Sequence, residues 1–140
     1  MPRFLDTNIL LRYLTRDDEA KAQASLGLLS RVERGEEVVV TSDLVIAEVV
    51  FNLQSPRQYG LSRDHIRQLV EPIVELRGLR LANKGLYRRA FDLFCDKRIS
   101  FVDAYNAAYM ESRGVTEVYS YDTEFDRVEG VRRVEPEVET

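Results

Sequence analysis

Near its N-terminus the chain reads Arg3-Phe4-Leu5-Asp6-Thr7-Asn8-Ile9-Leu10, a short apolar run followed by three polar residues. Aspartate, threonine and asparagine are residue types that favour the start of a helix. Ile9, Leu10, Tyr13 and Leu14 then mark one helical face. This stretch predicts a short buried strand over residues 3–5, an acid at its carboxyl end and a helix directly after it.

The same alternation of short strands and helices continues along the chain. Further strands are predicted at 38–40, 79–81, 117–121 and 131–134, with helices over about 17–34, 43–52, 62–76, 85–95 and 100–114. Short strands separated by helices predict a parallel sheet with helices on both faces. The expected fold class is α/β, a three-layer α/β/α sandwich around a parallel sheet of four to five short strands. A single domain is expected over residues 1–140, with a frayed tail at 135–140.

Composition narrows the class of protein. Of the 140 residues, 44% are hydrophobic and 31% are charged, as in an ordinary globular protein. No apolar run approaches the roughly 20 residues of a membrane span, and the N-terminus lacks the apolar region of a signal peptide. No membrane association and, by default, a cytoplasmic location are expected. The single cysteine, Cys95, excludes an internal disulfide, and the single histidine, His65, excludes a ribonuclease that works with two histidines.

Four acidic residues lie where a carboxylate is hard to explain structurally. They are Asp6 and Asp122 at the ends of predicted strands, Asp103 at the start of a predicted helix, and Glu48 on a helix rich in apolar residues. Ligands of parallel α/β sheets bind outside the carboxyl ends of the strands, so all four are expected at one rim. Close carboxylates repel one another unless a cation joins them. Because all four would offer oxygen, Mg²⁺ or Mn²⁺ is favoured over Zn²⁺.

Each acid also has a structural alternative that the sequence leaves open. Asp6 and Asp122 are suited to cap the helix or turn that follows them. Ser100 and Asp103 have the spacing of a capping box, in which each residue bonds the other's backbone N–H. Glu48, which we expect among apolar side chains, could be paired with an arginine.

Four motifs together resemble the signature of PIN-domain proteins, and more narrowly the toxin half of the VapBC toxin–antitoxin pairs. They are the stretch 4–10, the helical Glu48, the stretch Phe101-Val102-Asp103-Ala104-Tyr105-Asn106-Ala107-Ala108, and the stretch Tyr119-Ser120-Tyr121-Asp122-Thr123-Glu124-Phe125-Asp126. The resemblance implies a Mg²⁺- or Mn²⁺-dependent ribonuclease acting on single-stranded or structured RNA. It also implies a homodimer and inhibition by a small VapB-like antitoxin.

Carried over residue by residue, the resemblance assigns four catalytic and metal-binding acids, namely Asp6, Glu48, Asp103 and Asp122. It assigns supporting polar positions to Thr7, Asn8 and Ser120, with Asp126 as a possible further acid. The hypothesis that follows is metal-assisted hydrolysis of phosphodiesters, with the acids holding one or two ions.

Two other functions remain open at this point. One is a small-molecule phosphatase in which Asp6 is a covalent nucleophile, although Asn8 stands where phosphatases of the haloacid dehalogenase type have a second acid. The other is a non-catalytic interaction module whose acids receive the arginines of a partner protein. Trapping a phosphoaspartate would indicate the first, and absence of metal binding and nuclease activity would indicate the second.

Overall fold

The computed structural model describes residues 1–139, and Thr140, at the end of the predicted tail, lies outside the described residues. The chain forms two compact units, Met1–Lys84 and the part that begins at Gly85. The single domain expected over the whole chain therefore stays a prediction. Among residues 1–139 no helix combines the length and the apolar character that crossing a membrane requires.

The first unit contains three strands and four helices. Its strands are β1 (Arg3–Phe4), β2 (Val39–Val40) and β3 (Leu79–Arg80), and its helices are α1 (Thr7–Thr15), α2 (Glu19–Glu33), α3 (Asp43–Gln54) and α4 (Arg63–Val74). The strands are parallel in the order β1-β2-β3, with Arg3 opposite Val39 and Val39 opposite Leu79. The carboxyl ends of β1 and β2 therefore lie at the same edge of the sheet.

The second unit contains two helices and two strands. They are α5 (Tyr87–Asp96), α6 (Phe101–Ser112), β4 (Glu117–Tyr119) and β5 (Arg132–Val134). A 3₁₀ turn at Lys84–Leu86 precedes α5, and a second 3₁₀ turn, Thr123–Arg127, lies between β4 and β5. β4 and β5 are parallel, with Glu117 opposite Arg132.

The predicted α/β class with parallel strands is confirmed, but the strand count of the sheet is different. In place of one sheet of four to five strands, the described residues form a three-stranded and a two-stranded hydrogen-bonded ladder. Each strand is only two or three residues long. A strand of this length contributes very few ladder bonds, so the extent of a sheet cannot be counted from apolar runs in a sequence.

Three serines fix where three of the helices begin. The hydroxyl oxygens of Ser42, Ser62 and Ser100 each accept a hydrogen bond from the backbone N–H three residues later, at 3.3, 3.2 and 3.1 Å. Such a cap contributes about 1 kcal/mol to helix stability. The cap at Ser100 places Asp103 in the first turn of α6.

A cluster of aromatic rings packs α5 against the start of α6. Tyr87, Phe91 and Phe94 of α5 are fully buried, and Phe101 of α6 lies among them. The ring centroids of Phe91 and Phe101 are 5.2 Å apart, and those of Phe94 and Phe101 are 5.8 Å apart, within the range of favourable aromatic pairs. This packing holds the first turn of α6, and with it Asp103, on a rigid support.

Candidate metal centre and active site

Asp103 lies at the start of α6 with a carboxylate that the helix cap does not use. Its backbone N–H donates to Ser100 Oγ at 3.1 Å, which is one half of the predicted capping box. The other half does not form, because the Ser100 N–H donates instead to Glu124 Oε1 at 3.0 Å. The side chain of Asp103 is therefore free for another role.

Asp122 is positioned by two short local hydrogen bonds. Its Oδ1 accepts from the Glu124 N–H at 2.9 Å, which confirms the alternative that Asp122 caps the turn after it. Its own N–H donates to Ser120 Oγ at 2.9 Å. Because the cap occupies one carboxylate oxygen and leaves the other, the capping role is compatible with a ligand role.

Asp103, Asp122 and Glu124 form what we call the acidic cluster. Each offers a carboxylate oxygen, and these oxygens all lie within 4.8 Å of one another. Oδ2 of Asp103 is buried, and no donor reaches it. A buried acceptor without a donor is costly, and three close carboxylates repel. A hard divalent cation with oxygen ligands relieves both penalties, so the donor set fits Mg²⁺ or Mn²⁺.

The pKa of Asp103 is raised from 3.8 to about 7, and burial of the carboxyl is the largest cause. The hydrogen bonds that a protonated Asp103 makes to the Asp122 and Glu124 carboxylates, and the negative charges of those carboxylates, contribute the rest of this rise. The pKa of Asp122 is lowered instead, first by the hydrogen bond from Asp103 and then by the Glu124 N–H. The pair therefore holds one proton below neutral pH, and that proton lies on Asp103.

The raised pKa of Asp103 predicts how the free energy of unfolding depends on pH. Since the folded pKa of Asp103 lies at about 7 and the ordinary value is 3.8, the folded chain retains a proton that the unfolded chain releases. Without divalent cations, Asp103 should lower the free energy of unfolding as pH rises from about 4 to about 7. After solvent screening at this half-buried position, we expect a contribution of about 1–2 kcal/mol.

Chemical denaturation in EDTA at about pH 5 and about pH 8 measures this contribution. The stability advantage of Asp103→Asn over the native chain should be larger at the higher pH than at the lower, because the loss begins near pH 4 and is complete above about pH 7. The other carboxylates also make stability depend on pH, but they are the same in both chains. Their effect therefore cancels when the variant is compared with the native chain. An equal pH dependence in the two chains would contradict the assigned pKa.

Asp6 and Glu48 lie in the first unit, so their meeting with the acidic cluster stays a prediction. Asp6 follows β1, and α3, which carries Glu48, follows the adjacent parallel strand β2. The backbone of Asp6 begins α1, but its side chain makes no capping hydrogen bond, so the capping alternative does not account for this carboxylate. The Thr41 hydroxyl donates to the Leu5 carbonyl at 2.8 Å and fixes the chain just before Asp6.

Glu48 has apolar helical neighbours, as expected, but they do not bury it. Glu48 is exposed, and its helical neighbours Leu44 and Phe51 are also exposed, by 82% and 70%. The buried face of α3 consists of Val45, Ile46, Val49, Val50 and Leu53. Within residues 1–139 the Glu48 carboxylate forms no ion pair, so the arginine alternative does not hold either. Glu48 is thus an unpaired acid on an exposed apolar face.

The remaining predicted positions differ in their surroundings. Thr7 is buried, Asn8 is exposed, and Ser120 holds the backbone of Asp122 as described above. Asp126 points elsewhere, because its Oδ1 accepts from Arg133 Nε at 3.1 Å. The third member of the cluster is Glu124, which sequence reasoning missed. Its position in the first turn after a capping aspartate, where acids are favoured, was the available signal.

Comparison with known proteins identifies the family of the chain. A model of the PIN domain matches residues 3–131. The chain belongs to the PIN-domain family. The resemblance predicted from the four motifs is thereby confirmed. Within this PIN domain the match includes the whole acidic cluster, together with Asp6 and Glu48.

A named relative matches nearly the whole chain. The PIN-domain chain is 25% identical to the VapC ribonuclease of Aquifex aeolicus (strain VF5) over 134 residues, which make up 96% of each protein. The two proteins therefore correspond over nearly their whole lengths. The relative's ribonuclease activity makes nuclease chemistry the first function to consider for this PIN domain.

Proposed function

We propose that this PIN domain is a Mg²⁺- or Mn²⁺-dependent endoribonuclease that hydrolyses phosphodiester bonds of single-stranded or structured RNA. One observation carries the proposal: three carboxylates converge, and one of their buried oxygens has no donor. The name of the A. aeolicus relative, a VapC ribonuclease, supports the same reaction.

In the proposal, Asp103, Asp122 and Glu124 hold the cation, and Asp6 and Glu48 complete the site. When bound, such a cation stabilises negative charge on the reacting phosphate and makes water a stronger nucleophile at neutral pH. The protein's part is to fix the oxygen ligands before substrate arrives. Asp103, as an acid with a pKa of about 7, must lose its proton to become a ligand, so cation affinity should rise with pH up to that value.

The supporting hydrogen bonds act on the direction of each ligand. The Ser100 N–H holds Glu124, the Glu124 N–H holds Asp122, and Ser120 Oγ holds the backbone of Asp122. These bonds restrict the rotamers of Asp122 and Glu124. Hydrogen bonds of this kind orient the residues that bind a metal without contacting the metal themselves. Asp6 and Glu48, both exposed and without capping or ion-pair partners, are proposed as a further ligand and as the group that orients the attacking water.

The biological setting is part of the same proposal. We infer that the chain is the toxin of a type II toxin–antitoxin pair, inhibited by a small VapB-like antitoxin, and that it acts as a cytoplasmic homodimer. The resemblance of its motifs to VapBC toxins supports each of these inferences.

Incubation of the purified chain with 5′-labelled single-stranded RNA tests the reaction. We expect cleavage with Mg²⁺ or Mn²⁺, none with EDTA, and recovery when either ion is returned in excess. In-line attack by water should leave a 5′-phosphate and a 3′-hydroxyl at the cut. A duplex of the same sequence serves as the comparison substrate.

Other outcomes of this experiment would select the alternative functions. No cleavage and no ion binding by the partner-free chain would contradict the nuclease and favour an interaction module. A phosphorylated Asp6 trapped from a small phosphate ester would favour the phosphatase. Mass spectrometry of the intact chain distinguishes these two results.

A further inference from the structure

Two arginines lie on segments next to the acidic cluster. Arg98 is in the loop between α5 and α6, and Arg127 is the last residue of the 3₁₀ turn that contains Glu124. Arg127 Nη1 donates to the Arg98 carbonyl at 3.0 Å, and Glu124 of the same turn accepts from Ser100 of the same loop. Two hydrogen bonds thus join turn and loop, and both arginines are exposed at this junction.

Neither arginine is neutralised by an acid. Within the described part of the chain, the Arg98 side chain has no ion pair, and the Arg127 guanidinium bonds a carbonyl in place of a carboxylate. Arg133 provides the contrast, because it pairs with both Asp126 and Glu135. The charge of Arg127, and after it that of Arg133, also lowers the pKa of Asp122, in addition to the larger effects of Asp103 and Glu124.

The backbone at Arg98 is held in an unusual conformation. Its φ is +54°, in the left-handed region that residues other than glycine and asparagine rarely adopt. Retaining a long cationic side chain there costs about 1 kcal/mol or more in backbone strain. A glycine or asparagine would meet the backbone requirement with less strain, although Arg16 at the end of α1 adopts the same conformation with a φ of +58°.

We propose that Arg98 and Arg127 together bind a backbone phosphate of the RNA strand, adjacent to the phosphate at the acidic cluster. The planar guanidinium group forms paired hydrogen bonds to phosphate oxygens. Two unpaired guanidinium groups beside a cation site offset the negative field that the carboxylates present to an RNA strand. This inference rests on the proposed nuclease function and adds the residues that position its substrate.

The competing explanation is that Arg127 only fastens the turn to the loop. A fastening role predicts reduced stability for Arg127→Gln and no effect for Arg98→Gln, because the Arg98 side chain makes no hydrogen bond or ion pair within residues 1–139. A phosphate-binding role predicts that both variants weaken RNA binding and reduce its dependence on salt. The effect of Arg98→Gln on RNA binding therefore distinguishes the two roles.

The experiment measures RNA binding without cleavage. Fluorescein-labelled single-stranded RNA of about 15 nucleotides is titrated with the Asp103→Asn variant, which should cleave it only slowly. The titration is done in Mg²⁺ and repeated at several salt concentrations from about 0.05 to 0.3 M. Arg98→Gln, Arg127→Gln and the double variant are compared on this background. The matched control is Arg113→Gln, which removes one charge at the other end of α6, about 15 Å along the helix from Asp103.

The logarithm of the RNA-binding constant falls linearly with the logarithm of the salt concentration, and each phosphate bound by an arginine contributes about 0.7 to the size of that slope for a single strand. The slope of the double variant should therefore be smaller in size by about 1.4. At about 0.1 M salt we expect a roughly threefold to tenfold fall in affinity for each single variant, whereas Arg113→Gln should match the parent. In the chain with Asp103 intact, Arg98→Gln should raise KM more than it lowers kcat, and Arg98→Lys should restore part of the affinity.

Salt slopes for Arg98→Gln and the double variant that equal that of Arg113→Gln would overturn the proposal, even if the native chain cleaves RNA. Failure of the native chain to cleave RNA would overturn the proposed function, which the cleavage assay reports separately. Thermal unfolding shows whether Arg127→Gln is folded. Should it not be, Arg98→Gln decides the question alone.

Discussion

Asp103→Asn should lower the rate of RNA cleavage about a thousandfold. The substitution removes the charge of the half-buried carboxylate whose Oδ2 has no donor, and with it a ligand at the centre of the acidic cluster. A bound metal ion stabilises the charge of the transition state by several kcal/mol. Each ~1.4 kcal/mol of activation free energy changes the rate tenfold. Initial rates with saturating Mg²⁺ and single-stranded RNA measure the effect.

The fold of this variant should be intact, which separates loss of chemistry from loss of structure. The Ser100 cap uses only the backbone N–H of residue 103, and asparagine retains it. The circular dichroism spectrum should match that of the native chain, with equal or higher thermal stability at neutral pH. Activity within tenfold of the native chain would remove Asp103 from the metal centre.

Glu124→Gln should lower cleavage by about 10–100-fold, the effect typical of weakening one group at a metal site. The glutamine Oε1 can still accept the Ser100 N–H, so the junction of turn and loop is preserved. Only the charge at the cluster is removed. Because Glu124 raises the pKa of Asp103, the variant should also bring that pKa down and weaken the pH dependence of cation binding below neutrality.

Asp126→Asn is the matched control for Glu124→Gln. Both acids belong to the same 3₁₀ turn, but the exposed Asp126 is paired with the part-buried Arg133 and lies outside the cluster. A surface ion pair contributes about 0–1 kcal/mol, so this variant should cleave RNA at close to the native rate. A larger reduction for Asp126→Asn than for Glu124→Gln would show that Glu124 is not the third acid of the site.

Most helix boundaries followed from local sequence. The helices predicted at about 17–34 and 62–76 are found at Glu19–Glu33 and Arg63–Val74, so the ends agree within two residues. Capping and hydrophobic periodicity depend on residues close together in the chain, which makes them readable without tertiary information. The helix that follows Asp6 was predictable for the same reason. The strand before it was predicted as buried over residues 3–5, but it spans Arg3–Phe4 and both residues are exposed, because burial depends on what packs against the strand.

The buried face of α3 was not predictable in this way. Apolar residues surround this helix, so its periodicity does not distinguish the inward face, and Leu44 and Phe51 proved to be exposed by 82% and 70%. Which face is covered depends on the elements that pack against the helix. The identification of Glu48 as a site residue therefore rests on its motif position and its lack of an ion-pair partner, not on burial.

The sequence by itself determined the strand–acid–helix order, the parallel α/β class and two members of the acidic cluster, Asp103 and Asp122. Tertiary structure decided that Glu124 is the third member while Asp126 turns to Arg133, and that burial keeps a proton on Asp103 near neutral pH. The physical reason is that carboxylates interact through space at a few ångströms. Two acids separated by one residue, on a single 3₁₀ turn, can point to different partners.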